Sequence, residues 1–262
     1  MKDYIACFAI VFATFVSGCT RDLPNEVTEP VSANDRIAGV APLDSGLHVN
    51  IRNSAGSVVL KWAGVEDSVR WTLSRQTSGK NRGDAVALLN LIQLIRQPIG
   101  DTVRYFPQTP AGVVGYTVSA DLAIGVPFLT PCIVEGVQGT TTVSDLGADL
   151  TMRNVHGVVV KRLNASCNIA SLDGGVDCEV AIPQGGSCTI TAVRGTIILK
   201  IPTNTSADIT ARTTNGTISS SYLTFTTINQ QPSVLTGRLG TGNGQIIVET
   251  GEGSIILQGV LP

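Results

Sequence analysis

Along most of this chain, apolar residues fall on every second position. In Val49-Asn-Ile-Arg, Leu150-Thr-Met-Arg and Ile209-Thr-Ala-Arg they alternate with polar residues, and each run leads to a turn glycine, Gly56, Gly157 or Gly216. Period-2 alternation marks a strand with one buried and one wet face. Aligning on the glycine brings further segments into register, ending at Gly139, Gly174, Gly195 and Gly253. The column seven residues before the glycine holds Val49, Cys132, Leu150, Cys167, Cys188, Ile209 and Ile246. Five before it stand Ile51, Val134, Met152, Ile169, Ile190, Ala211 and Val248. Two after it stand Val58, Thr141, Val159, Val176, Ile197, Ile218 and Ile255, with Leu60, Val143, Leu199 and Leu257 four after. The column four before is mostly polar: Arg52, Glu135, Arg153, Ala170, Thr191, Arg212 and Glu249. Each segment therefore predicts a strand, a turn and a second strand. From Gly139 to Gly216 the glycines recur roughly every 20 residues, about one coil of a β-solenoid, and the pattern predicts an all-β stack of such coils.

Two regions break the repeat. Ser78 to Asn81 predicts a loop, Asp84 to Asn90 a short helix with Asp84 near its start, and Leu91 to Phe106 a hairpin turning at Pro98-Ile99-Gly100-Asp101. This helix either covers one end of the stack or lies along its side. Ser219 to Gly244 is looser, and coil regularity is not expected there. Thr20 to about Ser45 is polar and carries Pro24, Pro30 and Pro42. It predicts a tether, with a surface-hugging first strand as the alternative.

The N-terminus has a different pattern. A charged start (Lys2, Asp3) precedes an apolar run from Tyr4 to Val16 and then Ser17-Gly18-Cys19. That run is too short to span a bilayer comfortably and ends in small residues, as a secretory signal does. Val16-Ser-Gly-Cys19 resembles the lipobox cut by lipoprotein signal peptidase, which implies cleavage before Cys19 and lipid on that cysteine. An ordinary cleaved signal and an uncleaved anchor are the alternatives. More than one acyl chain would make a stable membrane anchor. The expected organisation is a signal peptide over 1–18, lipidated cysteine and tether over 19–45, and a repeat domain over 46–262.

Net charge is −2 and only 15% of residues are charged, against about a quarter ordinarily. A basic footprint for nucleic acid is missing, and so is a polybasic membrane patch. Cys7 leaves with the signal, so an exported chain retains Cys132, Cys167, Cys178 and Cys188 besides Cys19. Four such thiols suggest disulfides with three possible pairings, and the absence of Cys-x-x-Cys argues against a zinc or redox site. Cys167 and Cys188 share a column in successive coils. Neighbouring strands lie about 4.8 Å apart, inside the roughly 4.4 to 6.8 Å Cα window for a disulfide, so this pairing is expected. Cys178 lies on the opposed strand, about 10 Å across the core, and Leu150 separates Cys132 from Cys167.

Candidate chemistry is sparse. His48 and His156 fall at different offsets from their glycines, which argues against a metal pair or a Ser-His-Asp site. Gly240-Thr-Gly-Asn-Gly lacks a lysine and leads into a strand, so it reads as a turn and not a phosphate loop. Asp149 and Asp208 share a column, but Ser166 and Ser187 stand between them, too far for paired glycosidase carboxyls; Asp177 and Glu179 flank a turn. No catalytic or metal-binding residue and no cofactor is assigned, and ligand-binding residues remain unassigned.

Arg212-Thr-Thr-Asn-Gly216, preceded by Ile201-Pro202 and Ala207-Asp208-Ile209, resembles the strand-repeat marker of a bacterial β-strand-repeat family of unknown function related to the adhesin-head, or GIN, domain. The likeness spans Leu47 to Leu257; Arg52 and Arg153 keep only the arginine and glycine of the marker, and cysteines in core columns depart from it. It implies a right-handed β-helix-like fold on envelope proteins, with adhesion proposed and no established catalytic residues to carry over. The expectation is thus a non-catalytic envelope lipoprotein with an adhesin-like or structural role. Its partners would be the membrane, through lipid, and an unknown protein or glycan, not nucleic acid. Thr20 after the cysteine resembles outer-membrane sorting in a Gram-negative cell, with a periplasmic or surface-exposed domain. The alternatives are a carbohydrate-active β-helix enzyme, favoured by a concave patch of acids and aromatics, and a sensor or accessory subunit of an envelope complex.

Overall fold

The computed structural model describes residues 30–44, 46–111 and 115–262, so Cys19 and the signal region lie outside the described residues. In chain order the elements are β1 (Val31–Pro42), β2 (His48–Arg52), β3 (Val58–Trp62), β4 (Ser68–Gly79), the helix α1 (Arg82–Leu91), β5 (Gln93–Ile99), β6 (Thr102–Gln108), β7 (Val118–Val126), β8 (Cys132–Glu135) and β9 (Thr140–Leu146). They continue as β10 (Leu150–Leu163), β11 (Cys167–Val180), β12 (Ser187–Arg194), β13 (Ile197–Pro202), β14 (Ala207–Asn215), β15 (Ile218–Ser221), β16 (Phe225–Gln231), β17 (Val234–Leu239), β18 (Gly244–Glu252) and β19 (Ile255–Val260).

The alternating columns become two ladders of parallel strands. The first runs β6, β2, β8, the start of β10, the start of β11, β12, β18 and β14. The second runs β7, β3, β9, the ends of β10 and β11, β13, β19 and β15. Strands β10 and β11 bend through the turn and belong to both ladders. The registers keep the columns seen in the sequence: Val49, Cys132, Leu150, Cys167, Cys188, Ile246 and Ile209 are successive partners. Their side chains and those of the second ladder meet in one apolar core. In β10 that core takes Val158 and Val160, and Val159 is only partly buried, so the irregular turn there shifts the inward set by one residue.

Spatial order departs from chain order at both ends. The coil β2/β3 sits between β6/β7 and β8/β9, and β18/β19 sits between β12/β13 and β14/β15. Stacking in chain order would put Arg212 beside Thr191; instead Glu249 lies between them, with its carboxylate 3.9 Å from the Arg212 guanidinium. The detour occupies the segment whose regularity was in doubt. After β15 the chain forms β16 and β17, β17 lies antiparallel on the free side of β14, and the chain then returns into the slot. The last coil therefore has hydrogen-bonded neighbours on both sides and no open edge.

The tether expected up to residue 45 is corrected. Val31–Pro42 is a strand lying antiparallel along β4, fastened by an ion pair between Asp35 and Arg75. Arg75 also donates to the Ile92 carbonyl at 2.7 Å, so one guanidinium joins β1, β4 and the end of α1. The helix starts where Asn81 Oδ1 accepts from the Asp84 amide at 2.9 Å. It packs on the core-facing side of β4, where the Thr77 hydroxyl donates to the Ala85 carbonyl. The hairpin β5/β6 pairs antiparallel about the turn at Gly100 and Asp101, as the sequence indicates.

Several turn glycines are packed directly against the backbone of the next coil. A Cβ on Gly195 would stand 2.2 Å from the Gly174 carbonyl oxygen, one on Gly253 2.2 Å from that of Gly195, and one on Gly216 2.0 Å from that of Gly253. Gly195→Ala should therefore cost about 3 kcal/mol or more, whereas Gly185→Ala, with φ of +74° but open space, should cost about 1 kcal/mol from backbone strain alone. Ile190→Asp, burying an unpaired charge, should cost more than about 4 kcal/mol, and Arg153→Asp on the exposed column under about 1 kcal/mol. Denaturant melts of the four variants check both contrasts; equal losses for Ile190→Asp and Arg153→Asp would reverse the assigned faces.

Candidate functional site

The outer face of β1, β4, β7 and β3 is unlike the rest of the surface. Cross-strand register places Lys61, Gly125, Arg70 and Val40 in one row and Val59, Ala123, Thr72 and Ala38 in the next. Arg36 stands opposite Ser74 one row further. Alternation turns these residues away from the core, which takes Val58, Leu60, Val69 and Leu73. Because Gly125, Ala123 and Thr72 are small, the middle of the face is low, and a groove of about 460 Å³ forms there. Ala63 roofs part of it, 3.1 Å from where a Gly125 Cβ would stand. Lys61, Arg70 and Arg36 rise around it.

Trp62 is 45% exposed, and its ring meets Phe128 edge-on, with centroids 6.0 Å apart. Phe128 in turn lies on Gly147, where a Cβ would be 2.2 Å from the ring. In register with the buried Val126, Trp62 follows the core-facing alternation of β3, on the side opposite Lys61, and Phe128 holds its indole at the end of the strand. Val40 and Val59, also exposed, extend the apolar surface beside the cations. The other tryptophan, Trp71, follows the core-facing alternation of β4, and its ring covers Gly39.

Electrostatically the face is one-sided. Among the described residues, Arg36, Lys61 and Arg70 form no ion pair, and no carboxylate lines the groove. Asp121, on the same face, accepts from the Ser57 amide at 2.8 Å. Elsewhere several outward cations are neutralised by neighbours: Lys200 binds Asp177 at 2.7 Å, Arg104 approaches Glu135, and Arg238 grips Asp208 with two hydrogen bonds. The Arg238 hydrogen bond holds the Asp208 carboxyl below the usual range. Chemically, the groove can hold an anion beside the apolar Val40 and Val59. It offers neither a carboxyl pair nor a histidine.

The second cluster is the thiols. Cys167 and Cys188 are cross-strand partners with Sγ atoms 3.2 Å apart, and both are buried as free thiols. The sequence makes Cys178, on the opposed strand, the less suitable partner, with Cys188 in reach only if the intervening loop bends the chain. In the structure its thiol lies beside both, because side chains from the two ladders reach inward and meet. The neighbouring Cys167, then burial, hold Cys178 well above the ordinary thiol range against a lowering effect of Cys188, and Cys167, Cys178 and burial hold Cys188 above it. Cys132 stands apart beyond Leu150, donates to the Thr130 carbonyl at 3.2 Å, and is pushed up to about 12 by burial.

Other sequence candidates are not brought together. His48 lies on β2 and His156 on β10, and Asp149 and Asp208 are separated in their column by Ser166, Ser187 and Gln245. Among the described residues no cluster of His, Cys, Asp and Glu is placed to hold a metal ion. The groove itself was missed. Its signal was available in part: Lys61-Trp62 ends a strand whose alternation should have closed on the core.

No family model and no curated protein matches the chain. Among solved structures, a candidate cell adhesion protein from Clostridium sporogenes aligns with 86% of this chain and 100% of its own, at 9% identity and a TM-score of 0.46. A candidate adhesin from Bacteroides fragilis covers 85% of this chain and 97% of its own at 10% identity, with a TM-score of 0.30. A candidate lipid-binding protein from Parabacteroides distasonis covers 87% and 96% at 9% identity, with a TM-score of 0.28.

Peptide mapping of protein isolated from an oxidising compartment without reductant should show Cys167 joined to Cys188, with Cys132 free. Closing that loop of about 20 residues should add on the order of 3 kcal/mol to stability. A dominant Cys178 linkage would mean that pairing across the core wins over pairing along the ladder.

Proposed function

We propose that this chain is a non-catalytic, adhesin-like binding module of the cell envelope, anchored by lipid on Cys19, which engages its partner through the outer face of β1, β4, β7 and β3. The observation that carries the reading is the set of cations Arg36, Lys61 and Arg70, which form no ion pair among the described residues, around the low floor of Gly125, Ala123 and Thr72 on that face. A right-handed β-solenoid is the architecture that accompanies it. Two long parallel ladders with paired ends support that form, and such a stack presents a stiff outer surface. The carbohydrate-cleaving alternative calls for acids and aromatics in a concave patch, and this groove carries cations. The anchor would place the binding face outside the membrane that holds the lipid.

Two measurements test the proposal. Mass spectrometry of the purified N-terminus should show a diacylated or triacylated Cys19, and Cys19→Ala should accumulate as unlipidated precursor; an unmodified mature chain starting elsewhere would remove the anchor. Cells displaying the full chain should adhere to their natural surface more than cells lacking it. The double variant Lys61→Glu/Arg70→Glu should lose most of that gain, while Arg153→Glu/Lys161→Glu, on exposed positions of β10, should keep it. Undiminished adherence of the first variant would sink the assignment of this face.

A further inference from the structure

We infer that the groove bounded by Lys61, Arg70 and Arg36 is a binding site for an acidic polysaccharide. This rests on the reading of that face as the binding surface, and it names the ligand. Charge gives the first argument: the three cations have no partners among the described residues, and no carboxylate lines the groove, so the complement is an anion.

Spacing gives the second argument. Lys61 and Arg70 share a row with the β7 residue Gly125 between them, two strand spacings, or about 10 Å. Arg36 lies four residues from Val40, the β1 partner of Arg70, so it is displaced roughly 13 Å along the strands. Cations this far apart do not converge on one phosphate. They suit an extended chain that carries its charges at intervals, one on each of several sugars.

The third argument is the surface between the cations. A pyranose ring has a face of C–H groups, and the exposed Val40 and Val59 stand in the two rows beside the cations. The floor of Gly125, Ala123 and Thr72 lets a flat ring approach the sheet closely, and Thr72 presents a hydroxyl to the sugar's own. Single-stranded nucleic acid, the other polyanion with flat rings, is served by successive aromatic platforms, and the two outward rows of this face carry no aromatic residue. A protein partner with a dominant anchor side chain would need a deep apolar recess, and the floor here is shallow and the rim charged.

The experiment uses the full chain and titrates polygalacturonate and hyaluronate oligomers by calorimetry, with methyl-esterified polygalacturonate as the neutral control. At least one acidic oligomer should bind, and raising salt to about 0.5 M should weaken it strongly, since the charges are exposed. The methyl ester should bind at least about tenfold more weakly, and Lys61→Glu/Arg70→Glu should lose at least about tenfold while Arg153→Glu/Lys161→Glu loses nothing. Every variant should keep the parent melting temperature. Failure of both acidic oligomers to bind, or full binding by the Lys61/Arg70 variant, would overturn the inference. So would equal binding of the neutral ester. Binding of single-stranded DNA or anionic vesicles through these residues, without acidic saccharide, would replace the ligand class. Loss of adherence in the Lys61/Arg70 variant without any saccharide binding overturns the ligand and leaves the binding face standing. Saccharide binding lost with adherence unchanged does the reverse.

Discussion

The close stacking of backbone at the turn is the constraint on which the rest of the structure depends. Coil can follow coil at the spacing of hydrogen-bonded strands only if nothing projects into the gap between successive turns. At Gly195, Gly253 and Gly216 the neighbouring carbonyl oxygen occupies the place a Cβ would take. Glycine also supplies the φ of +124° at Gly195 and +141° at Gly253 that turns the chain from one ladder into the other. With the turns fixed, residues two, four, five or seven positions from a glycine are delivered to a set height and face, except after Gly157, where the inward set moves to Val158 and Val160. The columns of the core and the facing thiols of Cys167 and Cys188 follow from that indexing.

The ends obey a second constraint. A parallel stack leaves open strand edges top and bottom, which invite pairing with other chains. At one end β17 and β16 cover the outer side of β14, and at the other β5 covers β6 while β4 and β1 cover β7. Inserting β2/β3 and β18/β19 one place inward also ties these coils, the latter the last strands of the chain, into the middle of the ladders. The contacts that do this are distant in sequence: β18 must reach β12, and β2 must reach β8. Such long-range pairing makes folding slow relative to a stack built in chain order.

What was legible in the sequence, and what was not, follows from the same physics. The column members could be read because alternation and a turn glycine fix which side chains face inward, whichever coil lies next door. The neighbours could not be read, because Ile246 pairs with Cys188 as well as Ile209 would, and both belong to the same column. Val31–Pro42 looked like a tether because its twelve residues bury little; an edge strand held by antiparallel hydrogen bonds and the Asp35–Arg75 ion pair needs few apolar residues. Cys178 was misplaced because the distance between opposed sheets was taken between backbones, whereas the thiols extend from both sides. The groove was hidden for another reason. Its residues come from β1, β3, β4 and β7, three of which lie outside the repeat, and only pairing between segments about 60 residues apart makes them a surface.

That origin bears on where recognition resides in this architecture. In the repeated coils, outward charges mostly answer one another across neighbouring strands: Arg212 with Glu249, Lys200 with Asp177, Arg194 with Asp173. Each such pair contributes little to stability, on the order of a few tenths of a kcal/mol. Their larger effect is to leave the stack's faces nearly neutral at close range, which limits unintended pairing with other polyelectrolytes. On the outer face of β1, β4, β7 and β3 such compensation is missing among the described residues: Arg36, Lys61 and Arg70 form no ion pair, while Arg75, on the core-facing side of β4, binds Asp35. Lys61 comes from a repeat strand and Arg36 and Arg70 from strands outside the repeat, so this face arises where the two are joined by hydrogen bonds.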